Sequence, residues 1–368
     1  MIFLSTVQLI ADDVYEVTHR KLLKMKNDIG LGDISWSEFF DKITEDIFLL
    51  DDVNAIIQKA TRDNLLKVWC VNFGDNLEDI RNGKTIRDLV PLEAQENENV
   101  VLGPGVVVGR GPSIYKHKHL NLLAKSNFKG AIVASDGSLI DCLKRGVIPT
   151  HVVSVDGNNE LIWRWYDDPL VDKYGSKIKA ILCVSVAHNV VERCKKAGIE
   201  IFWFNPQFDD YRRNDSFTKL QMLMTRSEKN PGGAPNVTCG GNAGCTSWVL
   251  STGLLRRSPV GLIGIDLGYL EETPLEETAY YKQVMDSTNG NINIIAADIK
   301  MVNNPFFKVK AKADTIFRQY RSAWLDILKQ MRPNIRTINC TEGGTLFTLD
   351  PKISLEYSKF STFLQENS

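Results

Sequence analysis

Residues 103–113, GPGVVVGRGPS, decide the fold. A short apolar run, Val106-Val107-Val108, ends in Gly109-Arg110-Gly111-Pro112-Ser113, and helical sequence follows from about Tyr115 to Lys125. That order is strand, glycine turn, helix. In an α/β domain such a turn lies outside the carboxyl end of a strand, where ligands bind. Two glycines let backbone N–H groups approach a phosphate, and the helix start adds partial positive charge. The motif falls short of a dinucleotide fingerprint, because Pro112 and Ser113 follow the second glycine, and of a P-loop, because no Gly-Lys-Ser/Thr follows. An ordinary tight turn with Ser113 capping the helix is the competing reading.

Strand and helix then alternate from about Glu98. Ala131–Ser135, Val152–Asp156, Ile181–Ser185, Ile199–Phe204 and Val260–Asp266 read as strands, with helices over Leu139–Arg145 and His188–Lys196. Near-continuous apolar strands of this length suit burial on both faces. The pattern predicts an α/β protein: a Rossmann-like parallel sheet with helices on both faces. Residues 205–238 read as a long irregular loop carrying Arg212 and Arg213, either carboxylate clamps or solvated charges. A glycine-rich entry, Cys239–Cys245, opens a helix to about Leu255.

Around this unit, residues 1–97 form an N-terminal accessory region, and 305–368 a C-terminal helical extension beyond a central domain of 98–304. Helices are expected over Asp12–Lys26, from Ser35 and over Asp51–Thr61, with a strand at Val68–Phe73 and a polar linker over Glu93–Asn99. An acidic, mobile-looking stretch should run to Asn304, then an amphipathic helix over Phe306–Met331 and a last strand over Ile335–Asn339. The accessory region is open to roles as cap, oligomerisation arm or partner surface.

The chain has 368 residues, 43% hydrophobic and 24% charged, with a formal net charge of −1. No global basic field argues for nucleic acid, and no run approaches the ~18 apolar residues of a membrane span. The N-terminal sequence lacks a basic n-region, so no signal peptide is expected. Seven scattered cysteines without a CxxC pair then predict reduced thiols in a cytoplasmic protein.

The recurrence of turn residues after strands carries the functional reading. Gly109–Ser113, Ser135–Gly137 with Asp136, Asp156–Gly157, Asn205, Gly240–Gly244 with Gly241 and Asn242, Asp266–Tyr269 and Glu342–Gly344 each follow a strand or open a helix. In a parallel sheet those ends share one edge. The glycine turns suit a phosphate. Asp136, Asp156 and Asp266 suit ribose hydroxyls or magnesium near phosphates, although each alone is also an ordinary cap or turn residue.

These motifs, with Ser154-Val-Asp156, Ile263-Gly-Ile-Asp-Leu-Gly-Tyr269 and Asn339-x-Thr-Glu-Gly-Gly344, match in order and spacing over about residues 100–345. The chain resembles the domain family of the motility accessory factors, which are flagellin-modifying nonulosonate transferases. That family also includes the archaeal 6-hydroxymethyl-7,8-dihydropterin pyrophosphokinases (MptE-like), and bacterial sialyltransferases are more distantly similar. For a sugar transferase the resemblance implies a CMP-activated nonulosonic acid donor and a glycan or protein acceptor. Gly109, Gly111, Pro112 and Ser113 would line the donor's phosphate and sugar. Gly240, Gly241 and Asn242 would contact the nucleotide or donor carboxylate. Asp266 and Tyr269 would position the ribose and reacting centre, under a lid formed by the acidic segment. The pyrophosphokinase alternative implies ATP, a pterin acceptor stacked on Trp163 or Trp165, and magnesium on Asp156 and Asp266. Packing is the competing role for both tryptophans.

One departure stands out: the sialyltransferase-like pattern carries a lid histidine, and this chain has no histidine beyond His188. Base duty would pass to Asp266, Glu342 or His188. A nucleotide-binding protein without catalysis is a further alternative.

Overall fold

The computed structural model describes residues 48–279 except 98, 159–161 and 215, single positions 281, 285 and 296, and 298–368; side chains are described from 65 onward. The helices expected at Asp12–Lys26 and from Ser35 lie outside these residues. Two compact units emerge, one of residues 68–272 with 300–368, the other of 1–67 with 273–299. The second unit contributes the start of helix α1 (Phe48–Asn82) and a 3₁₀ turn over Leu275–Glu277.

The first unit is built on a wholly parallel sheet. Its strands are β1 (Lys84–Thr85), β2 (Gly105–Val108), β3 (Ala131–Ser135), β4 (His151–Ser154), β5 (Lys179–Cys183), β6 (Glu200–Pro206), β7 (Asn236–Val237), β8 (Val260–Ile263), β12 (Thr337–Asn339) and β13 (Glu356–Tyr357). The order is β1-β6-β5-β4-β3-β2-β8-β12-β13, with β7 pairing the end of β6. Strands β2 to β6 step away on one side of β2, and β8 lies on its other side. The switch point of this α/β sheet is therefore the crevice between the carboxyl ends of β2 and β8.

Side-chain alternation explains why β2 is central. Val107 joins a core layer with Trp203, Trp248 and Trp324. Val106 and Val108 face the opposite layer, with Ile114, Leu120, Leu123, Phe360 and Phe363. All three valines are fully buried, and each contributes about 2 kcal/mol by leaving water. The helices supplying these layers include α2 (Ser113–Lys116), α3 (His119–Lys125), α4 (Leu139–Lys144), α5 (His188–Lys196), α6 (Ala243–Val249), α7 (Thr315–Lys329) and α8 (Phe360–Asn367).

Several local expectations change. Val68–Phe73 is helical, inside α1, and not a strand. The polar linker holds a short helix over Leu92–Glu96, and the loop after β6 contains a helix over Phe217–Met224 and β7. The boundary placed at 304/305 falls inside a hairpin: β10 (Lys300–Asn304) pairs antiparallel with β11 (Val309–Ala313), which pairs with β9 (Tyr269–Leu270). The helix expected from Phe306 starts only at Thr315, where the Asp314 carboxylate accepts from Phe317 N–H and caps it. The C-terminal part is not only helical, because it also supplies β12 beside β8 and β13 beside β12. Among the described residues, no helix is long and apolar enough to cross a membrane.

Candidate functional site

The turn after β2 and the turn after β8 are zipped together. Gly109 N–H donates to the Ile263 carbonyl, and Gly111 N–H to the Gly264 carbonyl, each at 2.8 Å. The amides expected to face a phosphate thus face the neighbouring turn. Glycine is required here for close approach. A Cβ at 109 would stand 2.3 Å from the Gly264 oxygen, and one at 111 would stand 1.9 Å from Asp266 Oδ2.

Asp266 is the residue this packing encloses. It is 2% exposed. The Ser113 hydroxyl donates to its Oδ2 at 2.7 Å, and Ser113 N–H points to Oδ1 at 3.3 Å. Burial pushes the carboxyl up to about 7, with the Ser113 bonds opposing. The turn after β12 closes the other side: Thr345 N–H donates to the Asp266 carbonyl at 2.7 Å, and the Thr345 hydroxyl to the Leu267 carbonyl at 2.6 Å.

Glu342 lies in that same turn, in the left-handed region at φ 56°. Its Oε1 accepts from Phe360 N–H at 3.1 Å and lies 3.4 Å from His119 Nε2. Burial works to raise its carboxyl, but His119 and the Phe360 amide outweigh it and hold the group below the ordinary range. Glu342 therefore ties α3 and α8 to the turn covering Asp266.

Asp136 and Gly137 follow β3. Gly137 N–H donates to Asp136 Oδ1 at 2.7 Å. Burial pushes Asp136 up to about 6, against hydrogen bonds from Ser154 and Gly137. The Ser154 hydroxyl in turn pairs with Tyr166 Oη at 2.8 Å. Asp156, after β4, is exposed and accepts from Asn158 N–H at 2.9 Å. Sequence reasoning missed Arg110, the variable position between the two glycines. Its guanidinium lies over the Trp165 ring, 3.9 Å from the centroid, and its stem passes over Gly137, where a Cβ would stand 2.9 Å from Arg110 Cδ. The only signal in the sequence was a lone cation inside a turn expected to meet an anion.

The remaining candidates have more structural surroundings. Gly240 and Gly241 take φ of 57° and 84°, and Asn242 caps α6 by accepting from Cys245 N–H at 2.9 Å. Ile265 links this turn to the first one, because its Cδ1 would stand 2.5 Å from a Cβ at 109 and 3.0 Å from one at Gly244. The Tyr269 hydroxyl donates to Asp314 Oδ2 at 2.7 Å and its ring meets Phe317 edge-on. Arg212 and Arg213 are exposed loop residues.

Two sequence-level groupings are not brought together. His188, after β5, pairs through Nδ1 with Asn76 Oδ1 of α1 at 2.8 Å, and β5 lies three strands from β2. Asp156 and Asp266 follow β4 and β8, which are likewise three spacings apart, about 14 Å. Among the described residues no group of three histidine, cysteine or acidic side chains is arranged to hold a metal.

The likeness to a solved structure is distant: a MAf glycosyltransferase from Magnetospirillum magneticum AMB-1 matches with 15% identity and a TM-score of 0.48, over 71% of this chain and 34% of that one. This chain thus spans about a third of that protein's length. No curated protein matches. A family model matches residues 72–272, from α1 through the Asp266 turn, and so spans more than half of the chain. The chain belongs to the 6-hydroxymethylpterin diphosphokinase MptE-like family.

Proposed function

We propose that this chain is a nucleotide-dependent transferase whose donor lies across the carboxyl ends of β2, β3 and β8. One observation carries the reading. At the switch point, three turns converge on a buried carboxyl, Asp266, whose proton affinity lies near neutrality. A general base works best at such a value. Asp266 takes the proton of the acceptor hydroxyl once the Glu342–Thr345 turn that covers it moves aside. Ser113 orients that carboxyl, and Glu342 holds the turn in its closed place. The preferred donor is a CMP-activated nonulosonate and the acceptor a glycan or protein hydroxyl. The Thr341–Gly344 turn over Asp266 supports this branch.

The family match supports a second reading, transfer of pyrophosphate from ATP to a hydroxymethylpterin. A magnesium ion bound with the ATP would supply charge neutralisation there. Asp136 and Asp156, which follow the neighbouring strands β3 and β4, would face it.

Thermal shifts with CMP, CDP, UDP and ATP, each with and without magnesium, separate the readings. Ligand at about 100 times its dissociation constant stabilises by roughly 2.7 kcal/mol. A magnesium-independent shift with CMP or CDP supports sugar transfer. A shift only with ATP plus magnesium moves the assignment to pyrophosphate transfer. No shift with any nucleotide overturns both.

A further inference from the structure

We infer that Arg110, seated on Trp165, is the anion seat of this edge and binds a phosphate group of the activated donor. The phosphate follows from the transferase reading, whereas the seat itself stands on geometry. Arg110 is exposed and projects from the turn after β2, the strand next to the switch point. Its guanidinium lies 3.9 Å from the Trp165 ring centroid. Its stem lies over Gly137, where an added Cβ would stand 2.9 Å from Arg110 Cδ.

Stacking fixes the plane of a guanidinium and leaves its N–H edge for ligands. Among the described residues Arg110 makes no hydrogen bond and no ion pair, although its charge reaches the buried Asp136 carboxyl on the neighbouring turn after β3. Structural arginines on this molecule behave differently. Arg336 grips Glu356 through two bonds of 2.8 and 2.7 Å, and Arg193 grips Asp172 through two of 2.7 and 3.0 Å. Arg110 keeps its fork open. The Gly109 and Gly111 amides are spent on the β8 turn, so a phosphate at this turn needs a side-chain donor. A planar fork with several N–H groups matches phosphate oxygens in pairs.

The test is calorimetric titration of the full chain with inorganic pyrophosphate, CMP and cytidine. The proteins are wild type, Arg110→Gln, Arg110→Lys and Trp165→Leu. The expected result is pyrophosphate and CMP binding about 10- to 100-fold weaker in Arg110→Gln. Arg110→Lys, which keeps charge but not the fork, should fall between. Trp165→Leu should weaken both ligands about threefold or more through loss of the platform. Arg110→Gln and Arg110→Lys should melt like wild type, because Arg110 is exposed, and they keep the test valid if Trp165→Leu fails to fold. Cytidine affinity should stay within twofold in both Arg110 variants. Pyrophosphate binding that is absent in wild type, or unchanged in Arg110→Gln, overturns the seat. Pyrophosphate binding that depends on Arg110, without any nucleotide binding, upholds the seat and instead overturns the nucleotide-dependent reading.

Discussion

The Ser113 hydroxyl donates to Asp266 Oδ2 at 2.7 Å, joining the turn after β2 to the turn after β8 where the sheet order reverses. Both residues are almost wholly buried. A charged carboxylate in that place costs free energy, and the Ser113 hydroxyl and amide offset only part of it. The consequence is a carboxyl that titrates near neutrality.

That shift links folding to pH with a definite sign. Asp266 is pushed up to about 7 from an ordinary 3.8. A carboxyl raised on folding holds its proton more tightly in the folded state. Its contribution is favourable below the unfolded value and is lost as pH rises from about 4 to about 7. Asp136, pushed up to about 6, acts in the same direction over a narrower window. Urea unfolding across this range should show wild type losing stability relative to Asp266→Asn, by an amount on the order of 4 kcal/mol at most. Above pH 7 the difference should be flat. A difference independent of pH from 4 to 7 would contradict the burial of this carboxyl.

The glycines of the zipped turns should resist any side chain. Gly111→Ala forces a methyl onto Asp266, and Gly109→Ala forces one onto the Gly264 carbonyl. Each should destabilise by about 3 kcal/mol. Gly74→Ala is the control: nothing lies within 4 Å of its new methyl, and α1 should gain up to about 1 kcal/mol of helix propensity. Denaturant midpoints read all three. Equal effects at 74 and 111 would contradict the close approach of the two turns.

Asn72 and Asn76 stand one helical turn apart on α1 and face the carboxyl ends of β4 and β5. Asn72 Nδ2 donates to the Gly157 and Ser185 carbonyls at 2.8 and 3.2 Å, and Asn76 Nδ2 to those of Val184 and Val186 at 3.3 and 2.9 Å. Asn76→Ala should cost about 2–4 kcal/mol, because buried carbonyls lose their donor. Asn76→Asp replaces that donor with an acceptor and should be no better. A loss under 0.5 kcal/mol in both variants would show that the staple is not needed.

This staple also explains an expectation the structure reversed. The apolar run Val68–Phe73 has strand-like composition, and a run that short does not by itself distinguish strand from helix. What decides is the i, i+4 spacing of two asparagines with partners more than 80 residues away in sequence. The hairpin over Lys300–Ala313 is legible in its second strand. Val309-Lys-Ala-Lys-Ala313 alternates as a strand does, with Ala311 and Ala313 buried. The strands β2, β3 and β8 were readable because each is a short apolar run closed by glycine or aspartate. The role of Arg110 was not, because Trp165 is distant in sequence and only the fold brings it beneath the guanidinium.

Thiol chemistry gives an independent check on the core. All seven cysteines are free, and Cys70 is the exposed one. Burial pushes Cys183, Cys194 and Cys239 up to about 12, and raises Cys142, Cys245 and Cys340 as well. A thiol reagent at pH 8 should label one cysteine rapidly in the native protein and all seven after unfolding. Rapid labelling of Cys183 or Cys245 would contradict the closed packing beneath the sheet edge.

The most direct test is amide hydrogen exchange on the full chain, free and saturated with whichever nucleotide gives the largest thermal shift. The expected result is slowed exchange over residues 109–116 and 136–139, the turns after β2 and β3, with smaller slowing over 264–268. Protection confined to other segments would contradict a donor site at the switch point, and no protection anywhere at saturation would do so equally.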